Sequence, residues 1–526
     1  MKILVAEKIA DEGIEFLKSK QMSVTVDYGL SREALLKSIG DYDALIVRSV
    51  TKVNEELYQH AKKLKVIGRA GNGVDNIELS GATERGIIVV NTPDANTVSA
   101  AEHTIALMLS LSRNIPRADA HIKSRQWDRT LFQGVEMMGK TLGVIGLGRI
   151  GTMVATRMQS FGMDVIAYDP YINADKFERF NVKRANTLDE LLDISDFISV
   201  HTPKTKETLG MINENSFKRV KKEVRIINCA RGGIVDEKAL YDAIKEGIVA
   251  GAAIDVLKDE PHPISPLLDL EETIITPHLG ADTIEAQKNV GETVAVEVYE
   301  ALKGKLIANA VNLPSLSVHE LEQMKPFLTL VERMGKLYHQ IHNEVAETIE
   351  FIYKGELSHH STEPLVLSFI KGLYETVLDT PVTYVNARIL AENRGIAISE
   401  RRVSTSDEYS NSIAIKLHSK NEVFEIEGTV LGKGEPRIVA INNYSIDIVP
   451  KGNMLLIENN DSPGMIGAIG HILGKNNINV STMNVSLSQT HKSALMLLTV
   501  DQTIHDGVLL EIHQHPGILK AWSLKI

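Results

Sequence analysis

The segment Gly146-Leu147-Gly148-Arg149-Ile150-Gly151 decides the fold of this chain because of what surrounds it. An apolar stretch at residues 140–145 precedes it, and a helix-compatible segment follows it. A second apolar stretch at residues 163–168 comes next and ends at Asp169. Strand, glycine turn, helix, strand and acid in this order are the fingerprint of a βαβ unit that binds a dinucleotide.

Each part of this fingerprint has a physical role. Gly146 permits the tight turn, Gly148 lets the backbone approach the pyrophosphate, and Gly151 lets the helix pack closely on its strand. The N-terminus of the helix offers unpaired N–H groups and the positive end of its dipole to the phosphates. Asp169 lies where a carboxylate accepts hydrogen bonds from the ribose, and its charge would repel the extra phosphate of NADP. The segment therefore predicts NAD as the cofactor.

Length and composition limit the possible classes of protein. The chain of 526 residues is 43% hydrophobic and 24% charged, as in an ordinary soluble protein, and provides for about three or four domains. The net charge of −11 is spread without a basic block, which argues against nucleic acid as a partner. The longest apolar run, at 105–111, is too short to cross a membrane, and the N-terminus lacks a secretory apolar core. Because a single cysteine excludes an internal disulfide framework, we expect a cytoplasmic protein without a membrane partner.

Alternating strand and helix patterns divide the chain into regions. Residues 97–282, which contain the fingerprint, predict a doubly wound parallel-sheet domain for dinucleotide binding. We expect it to be inserted in a second α/β domain, the substrate-binding domain, made of residues 1–96 and 283–312. Residues 313–450 mix helix and strand patterns without a glycine-rich phosphate loop, which predicts an intervening α+β domain. Residues 453–526 have the order βαββαβ.

Three motifs after the fingerprint carry a resemblance to a known family. They are Asn228-Cys229-Ala230-Arg231-Gly232-Gly233, Asp255-Val256-Leu257-Lys258-Asp259-Glu260-Pro261 and Thr276-Pro277-His278-Leu279-Gly280-Ala281. In this order they resemble the D-2-hydroxyacid dehydrogenases. The length and the C-terminal regions resemble the long-form D-3-phosphoglycerate dehydrogenase branch of that family. The resemblance implies NAD-dependent oxidation of 3-phosphoglycerate to 3-phosphohydroxypyruvate, the first step of serine biosynthesis.

The residue types in these motifs suit hydride transfer from an alcohol. The reaction needs a base for the hydroxyl proton and a cation for the acid group of the substrate. His278 is suited to be the base, because imidazole exchanges a proton near neutral pH. Glu260 would hydrogen-bond the other ring nitrogen, and Arg231 would bind a carboxylate through two parallel N–H bonds. We therefore predict Arg231, Glu260 and His278 as the catalytic residues.

The resemblance also implies the residues that contact the cofactor and the substrate. The expected NAD contacts are Gly146, Gly148, Arg149, Ile150, Gly151, Asp169, Thr202, Cys229, Ala230, Arg231, Asp255, His278, Leu279, Gly280 and Ala281. Two loops that follow predicted strands of the N-terminal region are expected to face the cleft and to bind the substrate through Arg48, Ser49, Arg69 and Gly71. Because a phosphorylated three-carbon acid carries several negative charges, extra arginines are expected in its site.

Other candidate residues are expected to be structural. Cys229 has no partner base in the sequence around it and is expected to be a small buried residue rather than a nucleophile. His201, at the end of a predicted strand, is expected to be a hydrogen-bonded histidine without a chemical role. The remaining histidine pairs lack further ligands at zinc spacing, so we expect no metal.

The C-terminal region resembles the ACT domain, a small amino-acid-binding module. The resemblance rests on Asp461-Ser462-Pro463-Gly464 before a predicted helix and on Asn477-Ile478-Asn479-Val480 after it. It implies that Asp461 and Asn479 contact an effector, expected to be L-serine, and Asp461 is also expected to cap the helix. Residues 488–492 depart from the family pattern, so a structural module that forms oligomers is the competing interpretation. We expect a homo-oligomer, either a dimer or a tetramer.

Two other functions stay open from the sequence. A reductase of glyoxylate or hydroxypyruvate would use the same fold and the same catalytic residues. A dinucleotide-sensing regulator on this fold would not depend on turnover. The complete set of Arg231, Glu260 and His278 favours an enzyme.

Overall fold

The computed structural model describes residues 1–314, 318–342, 346–375, 378, 382–405, 408–488 and 492–526. It contains β-sheets of five, seven, six and four strands, which follow one another along the chain. The first two sheets are parallel throughout, and the last two are largely antiparallel. The α/β class expected from the sequence is therefore correct.

The first lobe, residues 1–90, has strands covered by helices. Its elements are β1 (Lys2–Val5), α1 (Asp11–Ser19), β2 (Ser23–Val26), α2 (Arg32–Ser38), β3 (Ala44–Val47), α3 (Glu55–His60), β4 (Val66–Arg69), α4 (Leu79–Glu84) and β5 (Ile88–Val90). The strand order is β2-β1-β3-β4-β5. The central strands are almost wholly apolar because helices bury both faces of a parallel sheet.

The second lobe, residues 97–275, contains the glycine fingerprint. Its elements are α5 (Thr97–Ser112), α6 (Ile115–Lys123), β6 (Thr141–Ile145), α7 (Arg149–Gln159), β7 (Asp164–Tyr168), α8 (Ala174–Arg179), β8 (Lys183–Arg184), α9 (Leu188–Ile194), β9 (Phe197–Val200), α10 (Glu214–Phe217), β10 (Val224–Asn228), α11 (Glu237–Lys245), β11 (Val249–Ile254) and β12 (Thr273–Ile275). The strand order β12-β11-β10-β9-β6-β7-β8 reverses direction beside β6. Such a reversal opens a crevice at the carboxyl ends of the strands, where ligands bind in doubly wound folds.

The chain returns to the first lobe through α12 (Ile284–Leu302). Val290, Val294 and Val298 on this helix belong to the same apolar core as the first-lobe strands. The approach is close, since a Cβ atom on Gly13 of α1 would lie 2.3 Å from the carbonyl oxygen of Gly291. The second lobe is therefore inserted into the first, as the sequence predicted, while the exact domain limits stay predictions.

The third and fourth sheets form the C-terminal half. The third contains α13 (Val318–Ile341), β13 (Thr348–Gly355), α14 (Glu363–Tyr374), α15 (Ala387–Glu392), β14 (Ala397–Val403), β15 (Asn411–His418), β16 (Val423–Leu431), β17 (Glu435–Ile441) and β18 (Tyr444–Ile448). The fourth contains β19 (Asn453–Asn460), α16 (Met465–Lys475), β20 (Val480–Leu487), β21 (Ser493–Val500), α17 (Asp506–Gln514) and β22 (Ile518–Lys525). Its order, β20-β21-β19-β22, confirms the predicted βαββαβ arrangement.

The prediction that Asp461 caps the first helix of this last module, α16, is wrong. The residue that precedes α16 is Gly464, at φ 96°, and no side chain caps the helix. Asp461 lies too far before the first helical residue, because Pro463 and Gly464 intervene. The predicted departure from the family at 488–492 falls partly on residues 489–491, which lie outside the described residues. None of the described helices has the length and apolar character needed to span a membrane.

Candidate active site

The glycine turn after β6 requires two of its glycines for steric reasons. Gly146 has a φ of 92°, and a Cβ atom there would lie 2.8 Å from the carbonyl oxygen of His201. A Cβ atom on Gly151 would lie 2.0 Å from the carbonyl oxygen of Gly146. Gly148 instead borders open space, with nothing within 4 Å of an added Cβ, and it immediately precedes α7. The turn therefore leaves room for a ligand at the N-terminus of the helix.

Polar groups surround this open space. One carboxylate oxygen of Asp169 accepts the N–H of Leu147 at 2.9 Å, which fixes the acid beside the glycine turn. The hydroxyl of Thr202 is buried and has no hydrogen-bond partner among the described residues. Arg149, at the start of α7, pairs with Asp94 from the segment between the lobes at 2.6 Å. An unpaired hydroxyl, a fixed acid and an open helix N-terminus fit a dinucleotide.

The predicted base and its partner acid are in direct contact. Nδ1 of His278 lies 2.7 Å from Oε2 of Glu260. The second oxygen of Glu260 accepts the N–H of Leu257 at 2.9 Å, so the carboxylate is held from both sides. The imidazole is 46% exposed, which leaves its other nitrogen accessible from the crevice. His278 also has a φ of 57°, an unusual backbone conformation for a residue with a side chain.

Asp255 holds the loop that carries His278. Its carboxylate is 1% exposed and accepts hydrogen bonds from the backbone N–H groups of Leu279 and Gly280, both at 2.8 Å. It is also bonded to His103 at 3.1 Å and to the Thr276 hydroxyl. Burial alone would raise the pKa of Asp255, but these hydrogen bonds lower it below its usual value. A buried, ionised carboxylate therefore supports the loop.

Arg231 reaches from the second lobe to a loop of the first. Its Nε donates to Asp75 at 3.1 Å, and one terminal nitrogen donates to the carbonyl oxygen of Ala230 at 2.7 Å. A Cβ atom on Gly73 would lie 1.9 Å from the other terminal nitrogen. Asn228 stabilises the turn, because its side chain bonds both the N–H of Ala230 and the carbonyl oxygen of Arg231.

Further arginines of the first lobe face the same region. Arg69 is mostly buried, and its Nε has no hydrogen-bond partner within the described part of the chain. Burial lowers the pKa of Arg69 to about 10, with contributions from the positive charges of Arg231 and Arg48 and opposition from Asp75 and Glu7. The guanidinium groups of both lobes therefore act on one another, and an anion bound among them would be stabilised.

The loops that carry these arginines are held by side chains that the sequence did not single out. Glu7 accepts the N–H groups of Val50 and Thr51 at 3.2 and 2.8 Å, directly after Arg48 and the exposed Ser49. The Asn76 amide donates to the carbonyl oxygen of Arg48 at 2.9 Å. Gly71 has a φ of 140°, and a Cβ there would lie 1.6 Å from a terminal nitrogen of Arg69, so only glycine fits.

His201 has the structural role expected of it, and Cys229 is only partly buried but is unreactive as expected. Burial raises the pKa of the Cys229 thiol to about 12, which keeps it protonated and unreactive near neutral pH. His201 is bonded to the hydroxyl of Ser199 at 2.8 Å, and burial lowers its pKa to about 4, so the ring stays neutral. Among the residues that the structure describes, no cluster of three histidine, cysteine or acidic side chains is arranged to bind a metal ion.

Comparisons with known proteins identify the family. Residues 105–280 match the model of the D-isomer specific 2-hydroxyacid dehydrogenase NAD binding domain, and residues 323–442 match the D-3-phosphoglycerate dehydrogenase intervening domain. A D-3-phosphoglycerate dehydrogenase of Archaeoglobus fulgidus is 44% identical over the full length of both chains. One from Bacillus subtilis is 39% identical, over 99% of this chain and 98% of its own. The chain belongs to the D-3-phosphoglycerate dehydrogenase family.

Solved structures of related enzymes resemble the two lobes. A D-lactate dehydrogenase from Aquifex aeolicus, complexed with NAD and lactic acid, is 31% identical with a TM-score of 0.52 and covers 58% of this chain and 96% of its own. A glyoxylate reductase from Paecilomyes thermophila is 30% identical with a TM-score of 0.56 and covers 59% of this chain and 98% of its own. NAD is the cofactor of this member of the D-3-phosphoglycerate dehydrogenase family, and the second lobe binds it.

Besides Glu7, three residues near the site of this family member were not predicted from the sequence. Asp75 pairs with Arg231, Asn76 supports the Arg48 loop, and His103 contacts Asp255. Asp75 and Asn76 continue the loop that follows β4, so a polar segment at a strand end was the available signal. For His103, in the middle of α5, the sequence offers no such signal, because its partner is 152 positions away.

Proposed function

We propose that this protein oxidises 3-phosphoglycerate to 3-phosphohydroxypyruvate with NAD, as the first step of serine biosynthesis. The observation that carries the proposal is the contact of His278 with Glu260 at 2.7 Å, together with Arg231, which bonds Asp75 on the first-lobe loop that follows Arg69. A substrate with a carboxylate, a phosphate and a secondary hydroxyl matches this combination of charges and base. The full-length relatives that carry this name support the same choice.

Proton transfer is assigned to His278. Since Nδ1 contacts Glu260 at 2.7 Å, it carries the ring proton there, and Nε2 is left to accept the hydroxyl proton of the substrate. The imidazolium that forms is stabilised by the negative charge of Glu260. NAD, when bound, supplies the acceptor for the hydride that leaves the carbon bearing this hydroxyl. The proton and the hydride together account for the two hydrogens that the alcohol loses.

Substrate orientation is assigned to the arginines. Arg231 would bind the carboxylate next to the reacting carbon, where a planar guanidinium can donate two parallel hydrogen bonds. Arg48 and Arg69 would bind the phosphate, with Ser49 and Gly71 completing the site. The unpaired Nε of Arg69 supports this assignment, since a buried donor without a partner is costly unless a ligand binds it.

The remaining cofactor contacts stay as proposed from the resemblance, with one revision. Gly146, Gly148, Gly151 and the N-terminus of α7 are proposed to bind the pyrophosphate, and Asp169 the ribose. The other proposed contacts are Arg149, Ile150, Thr202, Cys229, Ala230, Arg231, His278, Leu279, Gly280 and Ala281. Asp255 is proposed to act mainly by supporting the loop after β12, because its two oxygens already accept four hydrogen bonds.

A direct assay tests the substrate. NADH absorbance would be followed with 3-phosphoglycerate and NAD, and in the reverse direction with glyoxylate and NADH. Arg69→Gln should raise KM for 3-phosphoglycerate by about tenfold or more, as expected for a lost charge-assisted hydrogen bond. The KM for glyoxylate, which has no phosphate, should change much less. Equal effects on both substrates would contradict the phosphate assignment and favour the reductase alternative.

The ACT-like module is proposed to bind L-serine and to inhibit the enzyme. Asp461 and Asn479 are both exposed, and the backbone of Asn479 is fixed by hydrogen bonds with Asp501. Serine should lower the rate of the wild-type enzyme, and Asp461→Ala should remove this effect without changing the rate in its absence. Inhibition that is unchanged in Asp461→Ala would contradict the site.

We also propose a homo-oligomer, a dimer or a tetramer, in the cytoplasm. Large apolar side chains of the segment that follows α6 support an interface, since Trp127 is 87% and Met138 76% exposed. Light scattering after size-exclusion chromatography would give the mass directly. A mass equal to that of a single chain at micromolar concentration would contradict the proposal.

A further inference from the structure

One face of α5 contacts the catalytic loop at both of its ends. Nε2 of His103 lies 3.1 Å from Oδ1 of Asp255 and 3.2 Å from the hydroxyl of Thr276, where the loop begins. One helical turn earlier, the hydroxyl of Ser99 lies 2.7 Å from that of Thr283, where the loop ends and α12 begins. Residues four apart on a helix share a face, so a single rigid element contacts both ends of the segment that carries His278.

The contact of His103 with Asp255 matters because this carboxylate is charged and buried. Asp255 is 1% exposed, and its hydrogen bonds replace the water that it has lost. The backbone N–H groups of Leu279 and Gly280 come from the loop itself, whereas His103 comes from a separate helix. His103 therefore joins the loop, through Asp255, to a helix outside the loop.

His278 needs such support for two reasons. Its backbone has a positive φ, a conformation that persists only where surrounding contacts hold it. Its side chain is about half exposed, so packing alone does not fix the ring. The N–H of His278 donates to the carbonyl oxygen of Asp255 at 2.9 Å, so the position of the base depends on the position of this one residue.

We propose that His103 is a positioning residue for the oxidation: it fixes Asp255 and Thr276, and through them it holds the loop that presents the His278 imidazole to the substrate. The inference rests on the proposed function of His278 as the base. His103 itself touches neither substrate nor reacting atoms in this account.

Two substitutions separate this role from general packing. His103→Leu removes the N–H donor and keeps an apolar side chain of similar size. His103→Gln keeps an N–H donor at about the distance of Nε2. We expect kcat to fall about tenfold in His103→Leu, the order expected when a charged acceptor loses one hydrogen bond. The KM for 3-phosphoglycerate, which the arginines are proposed to bind, should stay within about twofold, and His103→Gln should retain most of the wild-type kcat.

A second readout needs neither substrate nor turnover. Amide hydrogen exchange of the cofactor-free protein would be measured on peptides that contain Leu279 and Gly280, whose N–H groups are bonded to Asp255. Exchange in this loop should become faster in His103→Leu and stay near the wild-type rate in His103→Gln. Peptides from the first lobe should not change.

The controls distinguish a failure of the proposed function from a failure of the positioning role of His103. His60→Leu, at an exposed histidine of α3 whose ring contacts the carbonyl oxygen of Glu56 in its own helix, should leave kcat and loop exchange unchanged. A wild-type enzyme without activity on 3-phosphoglycerate would end the proposed function, and the exchange data would still test the loop. Unchanged kcat and exchange in His103→Leu would overturn the inference. Equal losses in the leucine and glutamine variants, or faster exchange throughout both lobes, would also overturn it, because they indicate packing alone.

Discussion

Replacement of Glu260 by glutamine tests how the base is tuned. The substitution keeps the size of the side chain and an oxygen that can accept the Nδ1 proton of His278, now 2.7 Å from Glu260, but it removes the charge and replaces the oxygen that accepts the N–H of Leu257 by an amide NH2 group. A hydrogen bond with a charged partner is worth about 1.5–3 kcal/mol and a neutral one about 0.5–1.5 kcal/mol. The two ranges differ by about 1–1.5 kcal/mol, and because both side chains are over a third exposed, solvent weakens the charge and the lower end, about 1 kcal/mol, applies.

This difference acts on the transition state, because the positive charge on His278 develops only as the proton is transferred. A loss of about 1 kcal/mol corresponds to a fall in kcat of about fivefold. The KM values for NAD and 3-phosphoglycerate should change little, since the charge stabilises the transition state more than the bound substrate. The measurement is steady-state NADH formation at saturating concentrations of both substrates.

A matched control lies on the same segment of the structure. Glu237 accepts the N–H of Lys258 at 2.7 Å and so supports the loop before Glu260, but its carboxylate is not bonded to His278. Glu237→Gln should therefore keep the wild-type kcat. If Glu260→Gln turns over as fast as the wild type, or if only the KM values rise, the carboxylate does not stabilise the imidazolium and the reasoning fails.

Three further predictions follow from the geometry of the second lobe. Gly151→Ala should weaken NADH binding at least about tenfold in a fluorescence titration, since its Cβ would lie 2.0 Å from a backbone oxygen; wild-type affinity would contradict this packing. Asp255→Asn should lower the melting temperature near pH 7. The pKa of Asp255 is lowered in the folded protein, so the stability that its charge adds is present above the unfolded pKa and is lost as the pH falls through the folded pKa. The difference in melting temperature between wild type and variant should therefore narrow below about pH 4. A difference that does not depend on pH would argue against an ionised Asp255. Cys229, whose thiol has a pKa of about 12, should be alkylated by iodoacetamide at pH 8 far more slowly than a free cysteine, unless the protein is unfolded first.

Local patterns in the sequence determined the order of elements and the position of the nucleotide turn. The apolar stretches at 140–145 and 163–168 contain β6 and β7, because buried strands of a parallel sheet have short, largely apolar runs. The glycine spacing predicted the turn for the same kind of reason, since steric conflicts act between near neighbours such as Gly146 and Gly151. The motifs around Glu260 and His278 identified the pair that the structure brings into contact.

Other features depended on residues far apart in the chain, and these only the tertiary structure decided. Arg231 meets Asp75 across 156 positions, and His103 meets Asp255 across 152. Such contacts leave no periodic pattern, because the second lobe must fold before His103 can meet Asp255, and both lobes must fold and dock before Arg231 can meet Asp75. The prediction that Asp461 caps α16 was wrong for a related, more local reason. The path of the backbone through Pro463 and Gly464 decides which N–H groups the carboxylate can reach, and the sequence did not reveal that path. The sequence by itself therefore determined which chemical groups were present and in what order, and the packing of the lobes decided which of them act together.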